Sequence, residues 1–286
     1  MAISKRRIDH LVLAVHDLEA AAQFYTRLGF SVGARNKHPW GTENRLIQFG
    51  SSFIELITVG DRLQALPPHE PGRFSFGAFV RDYLTHREGF AMVVLDSPDA
   101  KADAKRFAEN GIGSFEPFFF ERKGHRPDGA ETHVAFSLAF AMDPPIPNAS
   151  FFVCQQHFPE NFWNSEFQKH SNGAMNIVAV TLAARNPAKH VDFLAEFTSA
   201  SACPGADGDM TFFLAEHGSV SVKKTVCGGG LTGYAIAVPS LPQQLDLLAA
   251  ANVPHSAARE SIMIRAQDAF GVAITFVSAG ERAEQC

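Results

Sequence analysis

Hydrophobic and polar positions change their spacing in a regular order near the N-terminus. Ile8–Val15 is a continuous apolar run interrupted by few polar residues, which is typical of a buried strand. Asp17–Leu28 follows with apolar residues at helical spacing, and Gly29 stands directly after it, as expected at a helix end. Two further extended runs, Asn44–Phe49 and Ser52–Val59, come next. The pattern predicts one β-α-β-β-β unit.

The same order of patterns recurs along the rest of the chain. A second unit covers residues 89–157, a third covers 176–225 and a fourth covers 234–277. We interpret residues 61–88 as a polar connector and residues 161–173 as a crossover. The sequence therefore predicts an α+β fold of four β-α-β-β-β units in two pairs, over residues 1–160 and 174–286.

His10 and Glu55 are the two polar residues that stand out within the strands of the first unit. Successive side chains of a strand point to opposite faces. If Leu11 packs under the helix, then Ile8 and His10 face the other way, and Glu55 faces away from the helix together with Phe53. The sequence predicts that His10 and Glu55 share the face opposite the helix, where an imidazole and a carboxylate would form half of a divalent metal site.

Composition narrows the class of protein. Hydrophobic residues make up 46% of the chain and charged residues 19%, which is typical of a folded globular protein. The net charge of −5 and the lack of a long basic stretch argue against a nucleic-acid partner, and no apolar run is long enough to span a membrane. The cysteines show no Cys-x-x-Cys spacing, so we expect reduced thiols and a cytoplasmic protein; they are Cys154, Cys203, Cys227 and Cys286.

Phenylalanine is unusually frequent, with 26 residues against 3 tyrosines. Such a composition predicts either strands that are buried on both faces or a cavity with aromatic walls. Charged residues of the hairpin in the second unit, Arg122 and Lys123 among them, are expected to be exposed loop residues.

Three segments of the first unit resemble the vicinal oxygen chelate superfamily, and in particular its glyoxalase-like branch. They are Ile8–Leu11, the loop His38–Arg45 and Phe53–Leu56. The superfamily includes glyoxalase I, extradiol ring-cleavage dioxygenases and bleomycin-resistance proteins. The resemblance implies that each pair of units forms a half-barrel, cup-shaped sheet with its helices outside, and that metal ligands come from the first and last strands of paired units.

The sequence matches only part of the metal-ligand set that this resemblance implies. His10 and Glu55 match in the first unit, and Glu55 would also act as a catalytic base. The last strand of the second unit offers Gln155 for substrate binding or His157 as a third metal ligand and catalytic residue. The ion would be Zn, Ni, Mn, Fe or Co. In the second pair Asn176 occupies the position of His10, so we expect that pair to support the fold or to form a homodimer.

The loop from His38 to Arg45 is the second segment of the sequence that indicates a binding site. His38, Trp40, Asn44 and Arg45 are predicted to bind the substrate at the rim, together with Phe53 inside the cup. Trp40 would supply a flat apolar face, and Arg45 would hold a carboxylate or a pair of vicinal oxygens.

Three functions are compatible with these features. The first is a metal-dependent lyase or isomerase that acts on a small vicinal-oxygen or carboxylate-bearing substrate through an enediolate-like oxyanion. The second is a metal-free binding protein of the bleomycin-resistance type, and the third is an extradiol-type dioxygenase. In each of them the partner is a small molecule, and neither nucleic acid nor a membrane takes part.

Overall fold

The structure is a computed structural model, and it describes residues 5–60, 66–125, 131–146, 148–226 and 228–280, without the side chains of residues 124 and 125. Two mixed sheets of eight strands account for most of the fold. Each sheet contains two β-α-β-β-β units, and the first strand of each unit is parallel to its last strand. The predicted α+β fold of four units in two cup-shaped sheets is confirmed.

The first sheet has the strand order β2-β3-β4-β1-β5-β8-β7-β6. Its strands are β1 (Ile8–Ala14), β2 (Asn36–Lys37), β3 (Thr42–Gln48), β4 (Phe53–Val59), β5 (Gly89–Asp96), β6 (Phe118–His125), β7 (Glu131–Ala141) and β8 (Ser150–Gln156).

The second sheet repeats this arrangement in the order β10-β11-β12-β9-β13-β16-β15-β14. Its strands are β9 (Asn176–Ala184), β10 (Ala202–Pro204), β11 (Met210–Phe213), β12 (Ser219–Lys224), β13 (Gly230–Val238), β14 (Ser256–Ala257), β15 (Ser261–Ile264) and β16 (Ala273–Ser278).

Several helices begin where a side chain accepts hydrogen bonds from the first turn. The Asp17 carboxylate caps the first helix, as its position in the sequence predicts. Asp99 caps the third helix by accepting the N–H of Ala102, and the nearby Ser97 hydroxyl donates to Asp103. The helices are α1 (Leu18–Arg27), α2 (Phe76–Leu84), α3 (Ala100–Glu109), α4 (Pro159–Phe162), α5 (Val191–Thr198) and α6 (Leu241–Ala250).

The two sheets share one hydrophobic core on their convex faces, where α1, α3, α5 and α6 lie between or beside them. The Tyr25 hydroxyl contacts the Tyr234 hydroxyl at 2.7 Å across this core, and Phe151 packs edge-on against Phe193 at 5.0 Å. The C-terminal sheet therefore packs on the convex side of the first sheet and does not cover the concave face of the first sheet.

A β-bulge occurs at the same place in both sheets. In β1 the pairing with β5 skips Asp9, and in β9 the pairing with β13 skips Val178. Ala179 is therefore the counterpart of His10, and the sequence-based assignment of Asn176 to that position was wrong. The side chain of Asn176 instead accepts the backbone N–H of Ser51 at 2.8 Å and joins the two halves.

Cysteine pairing differs from the expectation of reduced thiols. Cys154 is free and buried, whereas Cys203 is disulfide-bonded, and Cys227 and Cys286 lie outside the described residues. In the part of the chain that the structure describes, no helix has the length and apolar character needed to cross a membrane.

Candidate functional site

The concave face of the first sheet encloses a cavity of about 560 Å³. Helix α2 fills the end of the cup beside β1, β4 and β5, and the crossover after β8 covers part of the opening. The walls come from several strands because alternate residues of each strand point inward. The apolar lining residues include Trp40, Leu46, Phe53, Phe76, Phe118, Phe120, Val134, Phe136, Leu138, Phe152, Phe162 and Phe167.

A buried aspartate holds the histidine at the floor of this cavity. His10 Nδ1 lies 2.6 Å from Asp9 Oδ1, and Gln156 Nε2 donates to Asp9 Oδ2 at 2.8 Å. A carboxylate can only accept, so Nδ1 of neutral His10 carries the proton and Nε2 keeps its lone pair. The ring of His10 stacks on Phe53 with centroids 4.2 Å apart, which fixes the plane of the imidazole.

The contact between Asp9 and His10 depends on the bulge in β1. Neighbouring residues of a regular strand point to opposite faces, and the sequence pattern alone would place Asp9 under the helix. The extra residue in β1 turns Asp9 so that its carboxylate reaches the ring of the next residue, while Ile8 packs in the core with Leu11. The expectation that Ile8 shares the face of His10 was therefore wrong, and Asp9 was missed.

Glu55 faces His10 on the adjacent strand, as predicted. Glu55 Oε2 lies 4.0 Å from His10 Nε2, and both side chains are at least nine-tenths buried. Asn44 Nδ2 donates to Glu55 Oε1 at 2.5 Å, and His38 Nε2 lies 3.9 Å from the same oxygen. Four predicted residues, His10, His38, Asn44 and Glu55, thus form one polar cluster in a mainly apolar cavity.

His38 is held by its own loop. Its Nδ1 lies 2.8 Å from Thr42 Oγ1, and its ring stacks on Trp40 with a centroid distance of 4.5 Å. Burial lowers the pKa of His38, and although the charge of Glu55 acts to raise it, Arg122 adds to the lowering. His38 is therefore neutral at neutral pH. His38 and Trp40 both line the cavity, and their role in binding a substrate stays a prediction.

Arg45 does not reach the cavity. It follows Asn44 in β3, so its side chain points to the convex face, where it binds both carboxylate oxygens of Glu19 and donates to Gly33 O at 2.8 Å. The prediction that Arg45 binds a ligand at the rim was wrong, because the strand begins earlier than the sequence pattern suggested and fixes the alternation.

Gln155 and His157 also lie outside the cavity. Gln155 faces α3, where its side chain bonds Pro98 O and the N–H of Ala100. His157 follows the last residue of β8, is exposed, and lies 2.8 Å from Ser137 Oγ. The inward residues of β8 include Phe152 and Cys154, which line the cavity, and Gln156, so the structure does not bring the predicted third ligand to the site.

The donors at the floor do not complete a metal site held by the protein. A divalent ion of the predicted types takes about four donors at roughly 2.0–2.3 Å. Across the described ranges, no group of three or more His, Cys, Asp and Glu side chains is placed to hold an ion. His10 and Glu55 supply two facing donors, and an N–H of Asn44 occupies the other oxygen of Glu55.

Comparison with known proteins agrees with this architecture. The family model described as "Glyoxalase-like domain" matches residues 8–198, which include the whole first sheet and the cavity. The chain belongs to the glyoxalase-like domain family. Its fold is that of the vicinal oxygen chelate superfamily, as the segments of the first unit predicted.

Among curated proteins, the Glyoxalase domain-containing protein RDO1 of Mycosarcoma maydis is 32% identical over 108 residues, or 36% of this chain. The match spans 58% of that relative's length.

Solved structures share the fold at low identity. A hypothetical protein from Staphylococcus aureus has a TM-score of 0.68 and 15% identity, with 96% of this chain and 99% of that chain covered. The 2,3-dioxygenase LapB from Pseudomonas sp. KL28 has a TM-score of 0.60 and 13% identity, covering 99% and 95%. A 4-hydroxymandelate synthase mutant from Streptomyces coelicolor has a TM-score of 0.59 and 11% identity, covering 98% and 95%.

Proposed function

We propose that this glyoxalase-like protein is an enzyme that moves a proton on a small molecule bound in the concave cavity, in an isomerase or lyase reaction. The observation that supports the proposal is the buried Asp9–His10 pair, whose histidine lines an apolar cavity of ligand size. A histidine oriented by a buried carboxylate is an arrangement that general-base catalysis uses.

Each side chain of the cluster has a role that follows from its position in the cavity. His10 Nε2 accepts a proton from a carbon or an oxygen of the substrate, and the imidazolium that forms is stabilised by Asp9 at Nδ1 and by Glu55 at 4.0 Å. The apolar walls exclude water and strengthen these interactions. Asn44 Nδ2 faces Glu55 Oε1 at 2.5 Å and His38 Nε2 at 3.3 Å, so the unpartnered Oδ1 of Asn44 can accept a hydrogen bond from a hydroxyl of the substrate.

Proton exchange with solvent tests this activity. Small hydroxy-carbonyl and aryl-carbonyl compounds are incubated with the protein in heavy water, and deuterium incorporation next to the carbonyl is measured by NMR. His10→Gln should lower the exchange rate about 10²- to 10⁴-fold, the usual contribution of a general base.

The matched control is His157→Gln, because this exposed histidine lies outside the cavity. It should exchange at the wild-type rate. Equal rates in wild type and His10→Gln would refute the proposal, and no exchange with any compound in wild type would favour the binding-protein alternative.

A metal-assisted form of the same reaction is the second candidate. It is supported by two facing donors, His10 and Glu55, and by the Asp9 carboxylate on the far side of the imidazole, an arrangement common behind metal-bound histidines. The ion's remaining ligands would have to come from outside this pair. An extradiol-type dioxygenase would need a third protein ligand, which the described residues do not place beside His10 and Glu55.

Metal analysis of untagged protein separates the two forms. If a divalent ion acts, the protein should bind about one ion per chain in the presence of substrate, and His10→Ala should abolish this binding. Exchange that is unchanged after chelation and dialysis would leave the metal-free mechanism.

A further inference from the structure

Charge is distributed unevenly along the cavity, and this points to a class of substrate. We propose that the substrate is an amphiphilic acid, with an aromatic or hydrocarbon body, whose anionic group stays at the mouth beside Arg122 and Lys123 while an uncharged end reaches His10. The inference rests on the proposed function, because it places the reacting atoms at His10.

The floor of the cavity repels an anion. Glu55 is the only acidic residue among the described residues that line the cavity, and Asp9 stands directly behind His10. Both carboxylates are at least nine-tenths buried, so water screens them little. Arg7 Nη2 lies 3.9 Å from Asp9 Oδ2 and offsets part of that charge, whereas Glu55 has no Arg or Lys ion pair among the described residues. The nearest amide donors are already used, since Asn44 bonds Glu55 and Gln156 bonds Asp9. A carboxylate of the substrate would therefore be placed poorly next to them.

The mouth attracts an anion. Arg122 and Lys123 line the cavity at the exposed end of β6, and Arg122 follows Phe118 and Phe120 on the inward face of that strand. The side chain of Arg122 contacts the neutral Asn36 Oδ1 at 3.3 Å. Within the ranges that the structure describes, neither cation forms an ion pair with a carboxylate. A guanidinium in this state is suited to bind a carboxylate, sulfonate or phosphate group.

The walls between floor and mouth are apolar. Phe120 packs against Trp40 at 4.9 Å and against Phe136 at 6.3 Å, and Phe53 continues this surface down to His10. A volume of about 560 Å³ accepts a ligand considerably larger than a two- or three-carbon aldehyde. The body that joins the two ends of the substrate is therefore a hydrocarbon or an aromatic ring system.

Matched acid and amide ligands test the charge preference. Binding of naphthalene-2-carboxylate, biphenyl-4-carboxylate and 4-phenylbutanoate is measured by calorimetry beside that of their primary amides. At least one acid should bind roughly ten- to hundred-fold more tightly than its amide, as expected for a charge-assisted hydrogen bond. The preference should shrink as salt is added.

The double variant Arg122→Gln/Lys123→Gln should lose this preference and bind the amides as wild type does. The double variant Arg73→Gln/Lys105→Gln is the control, because it removes the same charge from exposed positions that do not line the cavity. The inference is overturned if none of the acids is preferred over its amide, or if the preference persists without Arg122 and Lys123.

Binding and catalysis are read separately, so the two proposals can fail independently. Acid preference without any effect of His10→Gln on proton exchange would refute the proposed function and keep the ligand class. Exchange that depends on His10 but shows no preference for acids would keep the function and refute the ligand class.

Discussion

Asp9 and His10 are adjacent in the chain and also in contact, which a regular strand does not allow. The bulge in β1 brings Asp9 Oδ1 within 2.6 Å of His10 Nδ1, and Phe53 holds the ring from one side. The tautomer of His10 is thus set by a residue that contributes no atom to the cavity lining. In the proposed reaction Asp9 is a positioning residue, because its effect would pass through His10.

Asp9→Asn should therefore lower proton exchange at least about 10²-fold while the protein still folds. An asparagine amide can donate to Nδ1, which would move the proton of neutral His10 to Nε2 and remove the lone pair from the cavity. The readout is the deuterium-exchange rate as a function of pH, with circular dichroism to check the fold.

Asp96→Asn is the control, because Asp96 is a half-buried carboxylate that also pairs with Arg7 but has no contact with His10. Its exchange rate should stay close to that of wild type. A comparable loss in both variants would mean that Asp9 acts through general destabilisation.

His38 makes the stability of the protein depend on pH. Burial lowers the pKa of His38 below its ordinary value of 6.5, so the unfolded chain takes up the proton first as the pH falls. The contribution of neutral His38 to stability is complete above this value and is lost as the pH falls toward the folded-state pKa. Burial lowers the pKa of His170 too, so both histidines act in the same direction.

Urea unfolding at about pH 7.5 and about pH 5.5 measures this effect. The free energy of unfolding should fall at the lower pH in wild type and fall less in His38→Gln. An identical pH dependence in the two proteins would show that His38 is accessible to protons in the folded state.

Alternation along strands predicted much of the site from the sequence. His10, Glu55 and Phe53 lie where a simple two-residue period places them. Arg45 and His157 do not, since the first depends on where β3 begins and the second on where β8 ends. A shift of one residue exchanges the two faces of a strand, so an error in a boundary becomes an error in function.

Helix α2 is the element that the sequence analysis missed. Residues 61–88 were interpreted as a connector because the segment begins with polar residues and prolines. A helix signal is nevertheless present, with Ser75 as the cap and Phe76, Val80 and Leu84 along one face. This face packs into the concave side of the first sheet and limits the cavity to one end of the cup.

Gly77 sets how closely α2 approaches the loop of Trp40. A Cβ at this position would lie 2.7 Å from Leu66 Cδ2 and 3.1 Å from the carbonyl oxygen of Trp40. Helix propensity alone would make Gly77→Ala stabilising by about 1 kcal/mol. Overpacking costs about 1–3 kcal/mol, so we expect net destabilisation and weaker ligand binding as Trp40 shifts.

The prediction is tested by whether Gly77→Ala lowers or raises the free energy of unfolding. Urea unfolding of Gly77→Ala that shows higher stability than wild type would mean that α2 moves freely and does not fix the wall of the cavity.

The two halves of the molecule have the same topology but carry different residues at the positions of the polar cluster. The registers of β1 with β4 and of β9 with β12 place Ser221 where the first half has Glu55. Ala179 stands in the place of His10, so the polar cluster exists in one half only. The repeated pattern of elements was predictable, whereas the exact equivalence required the strand registers.

Gly271 of the C-terminal half lies against Glu88 of the N-terminal half. Gly271 has a φ of +77°, and a Cβ on it would lie 2.4 Å from the carbonyl oxygen of Glu88. Gly271→Ala should lower the free energy of unfolding by more than the roughly 1–2 kcal/mol that a left-handed backbone alone costs. Gly208→Ala is the matched control, because Gly208 has a φ of +83° and no atom within 4 Å of the added carbon.

Urea unfolding of both variants separates the cost of the close contact at Gly271 from the cost of the left-handed backbone, which Gly271 and Gly208 share. Equal losses in the two would indicate that the close approach of the halves contributes nothing to stability.

The shared bulge also shows what the backbone contributes to the site. Because both β1 and β9 contain it, the kink does not depend on the Asp9–His10 contact, which only the first half has. The second half has the same bend with Val178, Ala179 and Ser221 at the positions of Asp9, His10 and Glu55, so the variant Val178→Asp/Ala179→His/Ser221→Glu would show whether the kinked backbone alone is enough to orient a histidine.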